Sequence, residues 1–163
     1  MRAIRLGVFL LMITAGVLIW LALRNPFMRP VKRYYKALDR RDPAAMTAVF
    51  PEWLVNADTD EDTVTVEDMC AAVVSATNYY FGQDAKASVV LRRQQEVGED
   101  YLKRIADGIF TQYQRKVEIT RGLWLTYDVT YQGEGTEQTR TEYARVYRIN
   151  GSWYLLDIPS DTD

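Results

Sequence analysis

The sequence contains no histidine and a single cysteine, Cys70. Serine–histidine and cysteine–histidine catalysis are therefore excluded, because both use an imidazole as the base. One thiol without imidazoles also excludes the ordinary zinc sites, and a lone cysteine cannot form an internal disulfide. We find no phosphate-binding loop of the P-loop or dinucleotide type. The chemistry that remains open uses carboxylates and tyrosines, of which the chain has 22 and 11.

Several further functions are disfavoured by the residues at hand. Excluding Arg2 and Arg5, the chain has 18 basic and 22 acidic residues, so it lacks the basic excess of a nucleic-acid binder. Residues 58, 60 and 62 are aspartates, as at the start of a calcium loop, but Thr63 and Met69 stand where such a loop needs glycine and glutamate. We interpret 58–62 as a solvated loop. We predict no metal, no cofactor and no nucleic-acid partner, and expect Cys70 to be a core residue rather than a nucleophile.

One long hydrophobic run stands at the front of the chain. Residues Leu6 to Leu23 carry no charge, and as a helix they would span about 27 Å, close to the thickness of a bilayer core. Residues 20–23 lack the small side chains of a signal-peptide cleavage site, and no nearby cysteine could carry a lipid. We predict an uncleaved transmembrane anchor at 6–23, after a cytoplasmic front at 1–5 and before a linker at 24–29.

The charges on either side of this run oppose each other. Arg2 and Arg5 favour a cytoplasmic front, whereas Arg24, Arg29 and Lys32 favour the reverse. Because signal-anchors with a very short front usually keep it inside, we favour a single-pass cell-membrane protein with its domain on the extracytoplasmic side.

Lys116 to Ile158 has the pattern of three antiparallel strands. Apolar residues alternate with polar ones from Val117, which predicts one long strand with one buried face, bent or bulged at Gly122. The glycines at 133 and 135 reverse the chain, and Asn150-Gly151 predicts a type I′ hairpin. That turn sets the register, and the expected pairs are Tyr147–Tyr154, Val146–Leu155, Arg148–Trp153, Arg145–Leu156 and Tyr143–Ile158.

Both faces of this last hairpin are substantially apolar. We therefore expect part of the second sheet face to be covered by a second copy, by a partner or by another part of the chain. Trp124 and Trp153 are the candidate interface residues.

Helical patterns precede these strands. Val31 to Leu38 and Pro43 to Phe50 are expected to form helical pieces, the second capped by Asp42. Thr65 and Asp68 predict a capping box for the next helix. Its expected buried residues are Val66, Met69, Cys70, Val73, Thr77 and Tyr80, and Gly82 is expected to end it. Residues 85–97 alternate as a strand, and 98–113 predict a helix in which Gly108 would mark a close contact with the sheet.

The run from Tyr34 to Met46 resembles the opening helix of the nuclear-transport-factor-two-like superfamily, also called cystatin-like or SnoaL-like. The run from Tyr147 to Leu155 is similar to its closing hairpin. The resemblance covers about Pro30 to Ile158, and more narrowly points to membrane-anchored, uncharacterised members from Gram-positive bacteria. It implies a curved sheet wrapped around helices, a conical pocket and frequent dimers through the open sheet face.

We thus expect an α+β protein in which a transmembrane helix precedes a cone-like domain at 30–163, with a curved four-stranded antiparallel sheet on about three helices. The favoured function is a membrane-tethered binding or interaction module, held at the membrane by Leu6–Leu23, with a homodimer or protein partner on the sheet face. The alternatives are a structural protein, or an isomerase- or dehydratase-like enzyme with an aspartate base and a tyrosine acid. Such an enzyme would have a carboxylate of raised pKa deep in the cone beside a tyrosine hydroxyl. Candidate ligand-binding residues are Tyr34, Tyr79, Tyr80 and Tyr127.

Overall fold

The computed structural model describes residues 25–57 and 64–161. After a 3-10 turn at Pro26–Met28, the helices are α1 (Arg29–Leu38), α2 (Pro43–Thr47), α3 (Glu52–Val55), α4 (Val66–Phe81) and α5 (Glu99–Tyr113). The strands are β1 (Lys86–Glu96), β2 (Ile119–Gly133), β3 (Thr136–Ile149), β4 (Ser152–Leu155) and the two-residue β5 (Ser160–Asp161). The predicted front at 1–5, the anchor at Leu6–Leu23 and the acidic loop at 58–62 lie outside the described residues.

The strands form an antiparallel open sheet in the order β1-β2-β3-β4, and β5 pairs with β3. Two tight turns hold β3 in place. Glu134 and Gly135 have φ angles of 48° and 77°, and Asn150 and Gly151 have φ angles of 47° and 85°. Positive φ at both central residues is what a type I′ turn requires, so the predicted hairpin at Asn150-Gly151 is confirmed. The predicted α+β class and the predicted four-stranded antiparallel sheet are also confirmed.

The register of the last hairpin is confirmed near the turn and wrong further from it. Val146, Tyr147 and Arg148 pair with Leu155, Tyr154 and Trp153. The expected pairs Arg145–Leu156 and Tyr143–Ile158 do not form, because β4 ends at Leu155 and Tyr143 pairs instead with Ser160 of β5. Two features explain the break: Asp157 turns to accept a 2.6 Å hydrogen bond from Nε of Arg145, and Pro159 has no N–H for the ladder.

The helices begin where their capping residues predict. Asp42 accepts a 2.9 Å hydrogen bond from the N–H of Ala45, and Thr65 with Asp68 forms the reciprocal capping box of α4. Helix α2 ends at Thr47, earlier than expected. The buried residues of α4 are Val66, Cys70, Val74, Thr77 and Phe81. Met69 and Tyr80 are exposed instead, so the buried face lies slightly further round the helix than expected.

The main core lies between the first sheet face and helices α1 and α4. Alternate residues of β2 from Leu123 to Tyr131 are buried against Val31 and Leu38 of α1 and against Cys70 of α4. The buried residues Phe27 and Met28 of the 3-10 turn belong to the same core. The strong alternation of β2 therefore reflects one fully covered face.

Helix α5 covers part of the second sheet face. Leu102 packs with Val97, Tyr147 and Ile149 in a separate cluster, so the expected covering comes from another part of the chain. A Cβ on Gly122 would lie 2.7 Å from Cδ2 of Leu102 and 2.8 Å from Cδ1 of Tyr147. The glycine thus permits this close packing. The register shift of β2 lies just before Gly122, between Ile119 and Arg121, rather than at the glycine itself.

Gly108 does not mark the contact that we expected. Apart from its chain neighbours and the backbone of α5, no described atom lies within 4 Å of a Cβ built on Gly108, because Gly108 is on the exposed side of α5. Within residues 25–57 and 64–161, no helix is both long and apolar enough to cross a bilayer.

Candidate functional site

A carboxylate is buried at the edge of the main core. Glu142 of β3 pairs with Tyr127 of β2 and therefore points to the covered face of the sheet, where it is only 5% exposed. Its Oε1 accepts a 2.9 Å hydrogen bond from the hydroxyl of Tyr131, and its Oε2 accepts one from the hydroxyl of Tyr35. Burying a carboxylate is costly unless such donors accompany it, so the surrounding tyrosines stabilise it there.

The carboxylate borders a cavity of about 170 Å³ that opens to the surface between α4 and the segment before β5. Helix α1 contributes Tyr34 and Tyr35, and α4 contributes Val73, Ala76, Thr77, Tyr80 and Phe81. The sheet contributes Tyr131, Arg140 and Glu142, and Pro159 and Ser160 complete the rim. The walls are therefore largely aromatic and aliphatic, with a few convergent polar groups, which is the usual make-up of a small-molecule site.

The three buried tyrosines that line this cavity, Tyr34, Tyr35 and Tyr131, remain protonated at neutral pH. Burial raises the pKa of Tyr34, Tyr35 and Tyr131 well above the usual value, and the neighbouring charge of Glu142 raises each pKa further. Their hydroxyls therefore act as hydrogen-bond donors. The oxygens of Tyr35 and Tyr127 lie 3.4 Å apart, so the donors form one connected group around Glu142.

Tyr34 differs from its neighbours because its buried hydroxyl has no hydrogen-bond partner among the residues that the structure describes. Its side chain is 1% exposed and lines the cavity. A buried polar group without a partner costs about 1–3 kcal/mol. A molecule that offered an oxygen or nitrogen acceptor to Tyr34 would recover that energy.

The far wall of the cavity is built from stacked groups. The rings of Phe81 and Tyr131 are nearly parallel, at 7°, with centroids 4.6 Å apart. The guanidinium carbon of Arg140 lies 5.4 Å from the centroid of Phe81. This arrangement joins the end of α4 to both β2 and β3 and gives the cavity a rigid aromatic side.

The four tyrosines proposed from the sequence have different surroundings. Tyr127 is buried in the connected group around Glu142, and Tyr34 is buried next to that group without a hydrogen bond to it. Tyr80 is 64% exposed and lies on the rim of the cavity. Tyr79 is 83% exposed and packs edge-on against Tyr80, and it does not line the cavity.

The two candidate interface tryptophans lie in separate regions. Trp124 is 42% exposed on the second sheet face and packs edge-on against Tyr101 of α5, with ring centroids 5.8 Å apart. Trp153 is half-buried and packs edge-on against Phe27, with ring centroids 6.1 Å apart. Only Trp124 therefore offers a substantial surface to another molecule.

Glu142, Tyr35 and Tyr131 were not among the candidates from the sequence. A usable signal was present for Glu142. It alternates with Ala144 and Val146, which face the core, and a glutamate in such a series is rarely buried without a reason. Tyr35 and Tyr131 belong to the predicted apolar patterns of α1 and β2, and the pattern alone does not distinguish a donor from a core residue.

Two other features are less suited to chemistry. Cys70 is fully buried, and burial together with the nearby charge of Glu67 raises the pKa of its thiol to about 11, which agrees with a core role. A wider hollow of about 920 Å³ lies beside α3 and the end of α5, where Trp53 contacts Tyr113, but its charged side chains are exposed. In the part of the chain that the structure describes, no three metal-ligating side chains cluster together.

Comparison with known proteins finds likeness only among solved structures. No protein-family model and no curated protein matches the sequence. One similar structure is a protein of unknown function with a cystatin-like fold from Nostoc punctiforme PCC 73102, at 15% identity and a TM-score of 0.47, covering 82% of this chain and 85% of that one. Another is a proposed scytalone dehydratase from Novosphingobium aromaticivorans DSM 12444, at 12% identity and a TM-score of 0.43, covering 88% of this chain and 89% of that one. At such values the function has to be argued from the chain's own residues.

Proposed function

We propose that this chain is a membrane-tethered domain of the nuclear-transport-factor-two-like kind that binds a small, uncharged, oxygen-bearing molecule in the cavity beside Glu142. The observation that carries this proposal is the pairing of an unpartnered, buried hydroxyl on Tyr34 with a buried, tyrosine-bonded carboxylate on Glu142 around one open cavity. A protein that used this region only as a core would gain stability from a filled, apolar interior.

The size of the cavity limits the ligand. An engineered protein cavity of about 150 Å³ accommodates benzene, so 170 Å³ suits a single ring or a short branched chain. Phe81 and Tyr131 offer a flat apolar surface for such a ring, whereas Val73 and Ala76 offer an aliphatic one. A ligand with two fused rings would extend past Tyr80 into solvent.

The polar groups set the chemistry of the ligand. The Tyr34 hydroxyl can donate to a carbonyl or hydroxyl oxygen, since its raised pKa keeps it protonated. The Glu142 carboxylate, already bonded to Tyr35 and Tyr131, favours a ligand that donates a hydrogen bond over one that brings a second negative charge. A hydroxylated ring meets both demands.

Acid–base catalysis is a second candidate function, favoured by the contact of Glu142 with tyrosine hydroxyls. A carboxylate can remove a proton from a bound molecule, and a neighbouring tyrosine can donate one. The isomerase- or dehydratase-like alternative named an aspartate base, and Glu142 is a glutamate that offers the same carboxylate chemistry beside tyrosine hydroxyls. Glu142→Gln keeps the shape of the cavity and removes the base. An enzyme would therefore lose turnover, whereas a binding module has no turnover to lose.

The experiment that tests the proposal uses the full chain in detergent and three one-ring probes: phenol, cyclohexanone and cyclohexane. Binding is measured by calorimetry for the wild type and for Tyr34→Phe. We expect phenol and cyclohexanone to bind with a Kd of about 1 mM or below, and Tyr34→Phe to weaken both by roughly 2- to 10-fold. The exposed Tyr79→Phe serves as the matched control and should have no effect.

Two outcomes would oppose the proposal. If none of the probes binds, or if cyclohexane binds as well as phenol, the polar groups of the cavity do not select a ligand. If Tyr79→Phe weakens binding as much as Tyr34→Phe, the probes bind outside the cavity. Conversion of any probe to a product by the wild type but not by Glu142→Gln would instead support the catalytic function.

The membrane tether and the partner surface remain proposals of their own. A single-pass anchor at 6–23 with an extracytoplasmic domain is supported by the uncharged length of that run. A reporter fused after Asp163 would be active outside the cell if this topology holds. A homodimer or protein partner is supported by the exposed apolar residues Val90, Trp124 and Tyr143 on the part of the second sheet face that α5 leaves open.

A further inference from the structure

Helix α1 exposes only basic side chains. Its outward residues are Arg29, Lys32, Arg33 and Lys36, and the remaining six residues of the helix are buried. At 100° per residue these four fall within an arc of about 100°, so they form one continuous stripe, which we call the basic face. No acidic residue occurs between Arg29 and Leu38.

Within residues 25–57 and 64–161, no carboxylate neutralises the basic face. Ion pairs among the described residues include those of Arg92 with Asp128, Arg121 with Glu96 and Arg145 with Asp157, and none of these involves α1. None of the four cations of the basic face has a carboxylate partner there. The nearest acids along the chain, Asp39 and Asp42, are engaged otherwise, because Asp39 accepts from the N–H of Ala87 and Asp42 caps α2.

This concentration of charge is unusual for the chain as a whole. The protein has 20 basic and 22 acidic residues, so its charges nearly balance overall. A stripe of four basic residues without an acid therefore leaves the rest of the chain with an excess of acids. Four like charges on neighbouring turns also repel one another in an isolated helix. An anionic surface beside the helix would relieve that repulsion.

The position of the basic face along the chain indicates which anionic surface is at hand. Arg29 follows the end of the predicted span, Leu23, by six residues, which reach about 20 Å at most when fully extended. The 3-10 turn and the buried Phe27 and Met28 shorten that reach further. Helix α1 is itself about 15 Å long. A chain anchored through 6–23 would therefore keep the start of this helix within about 20 Å of the hydrocarbon boundary, where its basic side chains can reach the headgroups.

We propose that the basic face of α1 docks against anionic lipid headgroups and fixes the orientation of the domain on the membrane. This inference depends on the anchor included in the proposed function and not on the ligand. Each lysine or arginine near an anionic bilayer strengthens attraction by roughly fivefold. The opposite side of α1 carries Tyr34 and Tyr35, so docking would also restrain the helix that lines one wall of the cavity.

The test inserts the full chain into nanodiscs made of phosphatidylcholine alone or with about one-third phosphatidylglycerol, a content high enough for anionic attraction. Lysines are then acetylated briefly, and the rate of modification at each lysine is measured by mass spectrometry. We expect severalfold slower acetylation of Lys32 and Lys36 in the anionic nanodiscs. Lys103, exposed on α5, provides the internal control and should react equally in both.

Salt and a variant sharpen the result. Raising the salt to about 1 M shortens the Debye length to roughly 3 Å and should abolish the protection of Lys36. Arg29→Gln combined with Arg33→Gln should lower the protection of both lysines, whereas Arg104→Gln on α5 should not.

Equal acetylation of Lys32 and Lys36 in the two bilayers would overturn the docking proposal while leaving the anchor in place. Protection that requires added single-stranded RNA would assign the basic face to nucleic acid and also overturn it. A chain that does not enter nanodiscs at all would refute the anchor and the docking together. Binding of phenol in the cavity is measured separately and survives either failure.

Discussion

The adjacent tyrosines of α1 provide a matched pair for testing the site. Tyr34 and Tyr35 are both buried, but within the described part of the chain only the hydroxyl of Tyr35 has hydrogen-bond partners, Glu142 and Tyr127. Tyr34→Phe removes a buried group whose lack of a partner costs about 1–3 kcal/mol and leaves a void smaller than a methyl group. We therefore expect Tyr34→Phe to stabilise the ligand-free protein by about 1 kcal/mol.

Tyr35→Phe should have the opposite sign. It removes a hydrogen bond to a carboxylate, which is worth about 1.5–3 kcal/mol, and leaves Glu142 buried with one donor fewer. The two variants then differ by about 3 kcal/mol, which corresponds to roughly 10 °C in Tm for a domain of this size.

The assay is thermal and urea unfolding of the full chain in one detergent, followed by circular dichroism. The midpoint should rise for Tyr34→Phe, fall for Tyr35→Phe and stay unchanged for the exposed Tyr79→Phe. If Tyr34→Phe destabilises the protein by 1 kcal/mol or more, its hydroxyl has a partner in the folded chain, and the reasoning about the cavity is wrong.

Three further predictions concern the surrounding fold. Arg41 has a φ of 57° and donates to the side chain of Asn78 and to three carbonyl oxygens, at 2.7, 2.9 and 3.2 Å. In urea unfolding, Arg41→Met should therefore lower the free energy of unfolding by about 2–4 kcal/mol. Substitution of the exposed neighbour, Arg40→Met, should change it by less than about 0.5 kcal/mol. Gly122→Ala should lower the free energy of unfolding by about 1–3 kcal/mol, because the added methyl group overpacks against Leu102. Gly108→Ala, whose methyl group would contact only α5 itself, should raise it by about 0.5–1 kcal/mol. Equal effects of the two substitutions would contradict the packing of α5. The thiol of Cys70, with its pKa raised to about 11, favours the folded state below pH 9, and this contribution should be lost as the pH rises towards 11. Cys70→Ala should remove that part of the pH dependence of the unfolding free energy. Rapid alkylation of Cys70 in the folded protein at pH 8 would argue against its burial.

Local signals in the sequence were enough to predict most of the elements. Asp42, the Thr65–Asp68 pair and Asn150-Gly151 each satisfy backbone groups or a φ requirement within a few residues, so their effect does not depend on the rest of the fold. The alternation in β2 was equally informative, because one of its faces is fully covered.

Predictions that depended on distant contacts were less successful. Gly122 and Gly108 look alike in the sequence, and only the position of α5 shows that the first is packed and the second exposed. The hairpin register failed beyond Leu155 because Asp157 bonds to Arg145 and Pro159 interrupts the ladder. The site itself was missed for the same reason: Glu142, Tyr35 and Tyr131 lie on three different elements, and their meeting is a consequence of tertiary packing.

The most direct test of the central claim observes the cavity while a ligand enters it. Tyrosine labelled with carbon-13 at Cζ gives one signal for each of the 11 tyrosines, and the Tyr34→Phe, Tyr131→Phe and Tyr79→Phe variants assign three of them. On titration with phenol, we predict saturable shifts of Tyr34 and Tyr131 with one common Kd and no shift of Tyr79. Shifts confined to Tyr79 and other exposed tyrosines, with Tyr34 unchanged, would show that the cavity beside Glu142 does not bind the ligand.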